Sequence, residues 1–290
     1  SKIYPILSVS VRANHHPSLM PTFSASRPTS LFALVLIVLA MSPTAQAQSL
    51  FSDGTPYARS RAFDQAGEES RFDPQTGGAF TVELWVYGRG VPGLNESAIL
   101  VGRPTAAPEL GAPSGVVSGM AVWSVRYNAP GNDVEDPYVV FEITDGQEGG
   151  EVVQAEAQFV ISEGWHHVAA VYTGTDLRLF IDGEEKSTAS ISFTPPSGGV
   201  GLYAGGFNVD NFAGYIDDLA LWSTALSDET ISTHAASSLT GQEQDLLAFW
   251  DFNAPNVDGY FDDVSGASTP MRPSFGSRAA NFDRTSSSAP

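Results

Sequence analysis

The chain has 290 residues, no cysteine, and 33 acidic against 14 basic residues, a formal net charge of −19. Such a surface repels nucleic acid and anionic lipid, and no disulfide can staple the fold, so stability has to come from core burial.

Taken in chain order, residues 1–19 precede the first internal methionine, Met20, and read as an upstream extension rather than part of a domain. From Met20 the pattern is that of a secretory signal peptide. Arg27 precedes an apolar run at 31–41, Ser42-Pro43 breaks it, and Ala45-Gln46-Ala47 supplies a small-x-small cleavage site. The run is too short to span a bilayer, which takes roughly 20 residues. The expectation is cleavage after Ala47, export to the cell surface or beyond, and no membrane insertion afterwards.

The mature chain is then a succession of short strand patterns separated by Gly, Pro and Asn. They are expected at 58–63, 80–87, 98–101, 120–127, 138–143, 152–160, 165–172, 176–181, 188–193, 199–204, 214–222 and 247–252. Many short strands with such turns predict an all-β antiparallel sandwich. Leu177, Leu179 and Ile181 alternate with Asp176, Arg178 and Phe180, and Asp182-Gly183 then suits a two-residue hairpin turn. One helix is expected, from Asp228 to about Ala236, with Ser227 as N-cap and Asp228 and Glu229 in its first turn. The domain is placed at 48–266, and residues 267–290, rich in Ser, Ala, Pro and Arg, read as a linker-like tail.

Several segments carry a resemblance. They are SRAFD at 60–64, FTVELWVY at 80–87, GWHHVAAVYTGTDLRLFIDGEE at 164–185, FAGYIDDLALWSTALSDETI at 212–231, LLAFWDFN at 246–253 and DDVSG at 262–266. In this order they resemble the laminin-G-like branch of the concanavalin A-like lectin/glucanase families. The stretch from Pro104 to Pro137 departs from that pattern by its length and proline content. The resemblance implies a jelly-roll β-sandwich acting as a binding module for carbohydrate, glycoprotein or a protein partner. The alternatives are a glycoside hydrolase of the same fold and a spacer domain of an adhesin.

The glucanase branch works with closely spaced carboxylates on one strand face, Glu-x-Asp-x-x-Glu. Glu83 has no partner two or three residues on, and Glu142 is followed by Thr144 and Asp145, so neither makes the pair. A binding module rather than an enzyme is therefore expected. His166 and His167 are adjacent on a strand, face opposite sides, and are expected to pack and hydrogen-bond rather than chelate one ion. On a regular strand Asp217 shares a face with Tyr215, Leu219 and Leu221. A carboxylate there needs a partner: backbone N–H groups, Arg178 or Ca²⁺. Related sandwiches place a structural Ca²⁺ at a last-strand aspartate, and a second candidate site is the acidic loop with Asp210 and Asn211. The five tryptophans all lie in strand patterns and are read as mostly core. Tyr203, Phe207 and Phe212 are the candidate rim rings for stacking on a sugar.

Overall fold

The computed structural model describes residues 49–53, 59–62, 78–89, 98–104, 121–128, 137–147, 149–161, 164–196, 201–206, 212–267, 269–274 and 277–280. They lie within one compact unit, Thr44–Pro290. The strands are β1 (Ser49–Asp53), β2 (Arg59–Ala62), β3 (Phe80–Gly88), β4 (Ala98–Pro104), β5 (Ala121–Asn128), β6 (Tyr138–Thr144), β7 (Val152–Gln158), β8 (His166–Tyr172), β9 (Asp176–Ile181), β10 (Glu184–Ser190), β11 (Leu202–Ala204), β12 (Ala213–Trp222), β13 (Leu246–Trp250), β14 (Met271–Ser274) and β15 (Ser277–Ala280). The single described helix is α1 (Asp228–Ala236).

The strands form two antiparallel sheets. The first runs β10-β9-β8-β3-β12-β1-β15, with β13 beside the far half of β12. The second runs β14-β2-β11-β4-β5-β6-β7. Alternation along each strand decides what lies between them. Val82, Leu84 and Val86 of β3 and Leu177, Leu179 and Ile181 of β9 turn inward from the first sheet. Trp123 and Val125 of β5 and Phe141 and Ile143 of β6 meet them from the second. All ten are essentially inaccessible to water.

Local chemistry sets the connections. Asp182 and Gly183 both adopt positive φ, 52° and 79°, in the turn between β9 and β10. The Asp182 carboxylate then reaches back, accepting the His167 backbone N–H at 3.0 Å and lying 2.9 Å from His166 Nδ1. Burial pushes this carboxyl up, but those bonds outweigh it and hold it below the ordinary aspartate range. Ser227 caps α1 by accepting the Thr230 N–H at 3.2 Å. The helix lies on the outward face of the first sheet, where Ile231 packs with Phe180, Trp222 and Phe249.

Three expectations are corrected. Residues 267–290 are not a linker throughout. Met271 is fully buried in the core, β14 pairs with β2, and β15 pairs with β1. A strand also forms at 49–53, ahead of the first expected one, because its partners are β12 and β15 rather than a sequence neighbour. The strand after the hairpin is Glu184–Ser190 rather than 188–193. Its register to β9 begins at Glu184↔Ile181, directly after the turn.

Candidate functional site

The outward face of the first sheet gathers an unusual set of side chains. In β3, alternation sends Glu83, Trp85 and Tyr87 outward while Val82, Leu84 and Val86 fill the core. Register does the rest. Tyr87 stands opposite Tyr215, and Trp85 stands between Asp217 on β12 and His167 on β8. Trp165 leads into β8 on the same side. Ring centroids lie 5.9 Å apart for Tyr87 and Trp165, 6.2 Å for Tyr87 and Tyr215, and 6.4 Å for Trp165 and Tyr215. Trp85 meets the His167 ring at 5.4 Å. Trp165 is buried, whereas Trp85, Tyr87 and Tyr215 keep part of their surface in water. The result is an aromatic belt across three adjacent strands on the side away from the core.

Asp217 borders this belt, and it does so because β12 is not regular. The register to β3 slips between Asp217 and Ala220, and Asp218 takes a φ of 45°. This is a β-bulge, with one extra residue that flips the alternation beyond it. Ile216, Leu219 and Leu221 all face the core, while Tyr215 and Asp217 face outward with Ala220 and Trp222. Asp217 therefore does not share a face with Leu219 and Leu221. The reason for seeking a metal under it, a carboxylate on a core-facing strand side, falls away. Its Oδ1 accepts the Asp218 backbone N–H at 3.0 Å. Arg178 is committed elsewhere, to Glu185 and to Asp228. Among the described residues no three His, Asp or Glu side chains converge as metal ligands. Asp210 and Asn211 lie outside the described residues.

Glu83 adjoins the belt's other border and is held between two imidazoles. Oε1 lies 2.8 Å from His234 Nδ1 on α1, and Oε2 lies 3.2 Å from His167 Nε2 on β8. Burial alone would push the Glu83 carboxyl up. The two histidines outweigh it and hold it below the usual glutamate range. For His234 burial pulls the pKa down, but Glu83, with a contribution from Glu243, raises it above the ordinary value. His234 stacks on Trp222 with a 20° interplanar angle. This is a structural bracket. The carboxylate is inaccessible, with Oε1 at hydrogen-bond distance from His234 and Oε2 at ion-pair distance from His167. His166 and His167 likewise serve as hydrogen-bonding and packing groups on opposite sides of β8.

The outward face of the second sheet carries a polar row instead. Ser124 pairs in register with Glu142, and Glu142 with Gln154. The Glu142 carboxylate accepts Ser124 Oγ at 3.0 Å, Arg126 Nη2 at 2.6 Å and Gln154 Nε2 at 3.0 Å. Both Glu142 and Arg126 are buried. Three side chains thus hold the Glu142 carboxylate in place.

Two of the expected sugar-stacking rings, Tyr203 and Phe212, are buried rather than exposed on a rim. Tyr203 is fully buried in β11, hydrogen-bonded in the sheet between β2 and β4, and packs with Ile99 and Ala121. Phe212 is 2% exposed, its ring lying 2.6 Å from where a Cβ on Gly214 would be. Phe207 lies outside the described residues. Of the tryptophans, Trp123 and Trp250 are core between the sheets and Trp222 is core beneath α1, but Trp85 and Trp165 belong to the belt. Sequence reasoning passed over these two by treating a strand tryptophan as a core tryptophan. The signal was present in the alternation of FTVELWVY.

Comparison with known proteins bears on the same architecture. A protein of Bacteroides ovatus provisionally described as carbohydrate-binding matches with a TM-score of 0.55 at 14% identity, over 82% of this chain and 61% of that one. This chain thus spans less than two thirds of that structure. A heptameric pentraxin of Limulus polyphemus matches with a TM-score of 0.44 at 14% identity, over 66% of this chain and 82% of that one. The receptor-binding domain of botulinum neurotoxin type G gives 0.40 at 11% identity, over 55% and 38% of the two chains. No curated protein matches. The model of the laminin-G family of the concanavalin A-like lectin/glucanases superfamily matches residues 64–232, more than half of the chain. With that match over two antiparallel sheets, this chain belongs to that laminin-G family.

Proposed function

We propose that the chain is a secreted or cell-surface binding module that takes carbohydrate, free or on a glycoprotein, on the aromatic belt of its first sheet. The observation that carries this reading is the placement of Trp85, Tyr87 and Tyr215, partly exposed, on neighbouring strands and outside the core. The C–H faces of a sugar ring stack on such rings, and carboxylates beside them fix its hydroxyls; Asp217 stands in that position. Rigid strands rather than loops hold the rings, so the platform is preorganised. The fold neighbour from Bacteroides ovatus, provisionally described as carbohydrate-binding, is compatible with it. The buried carboxylates of Glu142 and Glu83, each held by neighbouring side chains, favour binding over hydrolysis. A glycan array probed with residues 48–290 and with Trp85→Ala and Tyr215→Ala tests the reading. The wild type is expected to retain a set of glycans that both variants lose at least tenfold, with the glycans recovered intact. Equal retention by all three proteins, or cleaved glycans, would remove it.

Export is part of the same proposal. The folded sheet starts at Ser49, two residues past the expected cleavage point, so removal of residues up to Ala47 leaves β1 whole. Among the described residues no helix is long and apolar enough to cross a membrane. Mass spectrometry of exported protein is expected to find Gln48 at the N-terminus. A product retaining residues 31–41 would count against it.

A further inference from the structure

We propose that Glu83, His167 and His234 form a pH-sensitive latch that holds α1 against the outward face of the first sheet, firm in mildly acidic water and looser above neutrality. This goes beyond the binding reading and does not depend on it.

The geometry joins three elements through one carboxylate: β3 supplies Glu83, β8 supplies His167 and α1 supplies His234. The helix has little else to hold it. Ile231 is its one buried residue, and Ser232 and Thr233 face solvent. Its last turn is anchored by His234, stacked on Trp222 at 5.1 Å and bonded to Glu83 at 2.8 Å, while Asp228 in its first turn pairs with Arg178 on β9. The His234 and Glu83 side chains are 12% and 2% exposed, so water screens this contact only weakly. A protonated His234 makes a charge-assisted bond to the carboxylate and also complements the negative end of the helix dipole. A neutral His234 leaves Glu83 a buried charge with weaker donors.

The charged groups around His234 fix the sign. Glu83 faces it from β3, and Glu243 faces it from the segment after the helix. His167 on β8 faces the other Glu83 oxygen, and its Nδ1 is buried without a hydrogen-bond partner. Arg178 on β9 is engaged by Glu185 and by Asp228 at the opposite end of α1. Because the His234 pKa is raised on folding, its contribution is complete below the unfolded value and is lost as pH climbs through the folded one. Because the Glu83 pKa is lowered, its contribution is complete above the unfolded value and is lost as pH falls through the folded one. The latch is therefore strongest between the ordinary glutamate and histidine values.

Hydrogen exchange on residues 48–290 tests this, with amide protection in 228–236 read relative to the β3 amides as an internal standard. Wild type is expected to show at least about threefold greater relative protection at about pH 5.5 than at about pH 8.5. His234→Asn, at a half-buried position, is expected to abolish that pH dependence while keeping the β3 protection. Glu83→Gln is expected to do the same if it folds. The Trp222 emission, quenched by a stacked imidazolium, should titrate above the ordinary histidine value in wild type and be flat in His234→Asn. Equal relative protection at both pH values in wild type, or an unchanged pH dependence in His234→Asn, would overturn the latch.

Discussion

At Gly214 two backbones and a ring converge. A Cβ there would collide with the carbonyl oxygen of Tyr87 on the neighbouring strand and lie 2.6 Å from the Phe212 ring. The facing residue is also glycine, Gly88, whose own Cβ would come 3.1 Å from the Ile161 carbonyl oxygen. This glycine pair lets β12 and β3 close up beside Tyr87 and Tyr215 and so sets the end of the aromatic belt. Gly214→Ala is expected to cost about 2 kcal/mol or more, because the blocking atom is backbone and overpacking typically costs 1–3 kcal/mol. Urea denaturation should show it as a lower midpoint with an unchanged slope. A loss below about 0.5 kcal/mol would mean the strands part easily there, and the belt would not be rigid. Residues of this kind divide by how local their cause is. Asp182-Gly183 and Ser227 were legible, since turn and cap chemistry depend on near neighbours. Asp217 was not, because its direction depends on a bulge that exists only against β3. Tyr203 was not either, since its burial comes from the outward side of the second sheet rather than from its own strand pattern.

Elements follow the same division. The nine-residue helix was placed to the residue by its cap and acidic first turn, although it buries only one residue, Ile231. The pair β8 and β9 was legible because alternation and a short loop specify it, down to the two faces of β9, of which the one with Leu177, Leu179 and Ile181 meets the core between the sheets. DDVSG shows an element whose purpose needed coordinates. Asp263 Oδ1 accepts the Phe249 N–H at 3.1 Å and Oδ2 accepts Thr269 Oγ1 at 2.8 Å. The same stretch brings the Thr269 carbonyl within 2.8 Å of Trp250 Nε1. One buried aspartate thus ties β13 to the chain leading into β14. The polar sequence here is anchoring chemistry, and it leads into residues 267–290, where reading a linker-like tail mistook composition for looseness. The belt lay between these extremes. Period-two alternation put Trp85 and Tyr87 on one face, but which face was outward depended on where Val82, Leu84 and Val86 pack.

For the whole molecule, the consequence is that the folding unit does not close at Gly266. Met271 is fully buried in the main core, and it exchanges backbone hydrogen bonds with Phe261 at 2.8 and 2.9 Å. β14 pairs with β2 over four residues, and β15 pairs with β1 over four more. Removing residues 267–290 would therefore delete a strand from each sheet and bare two new edges, β2 and β1. Burying a methionine side chain contributes about 1.5–3 kcal/mol. The lost pairing adds to this, against a typical total of about 5–15 kcal/mol. Exposed edges are also templates for intermolecular pairing, which a short Pro-bearing strand such as β14 suppresses. A chain spanning 48–266 is thus expected to melt at least 10 °C below one spanning 48–290, taking about 2–4 °C per kcal/mol for a domain of this size. It is also expected to form soluble aggregates on size exclusion. The large net negative charge should slow that association at low salt and permit it at high salt, so light scattering of the truncated chain is expected to rise with ionic strength. Identical melting curves for the two spans would show that β14 and β15 contribute no stability to the sandwich and would restore Gly266 as its boundary.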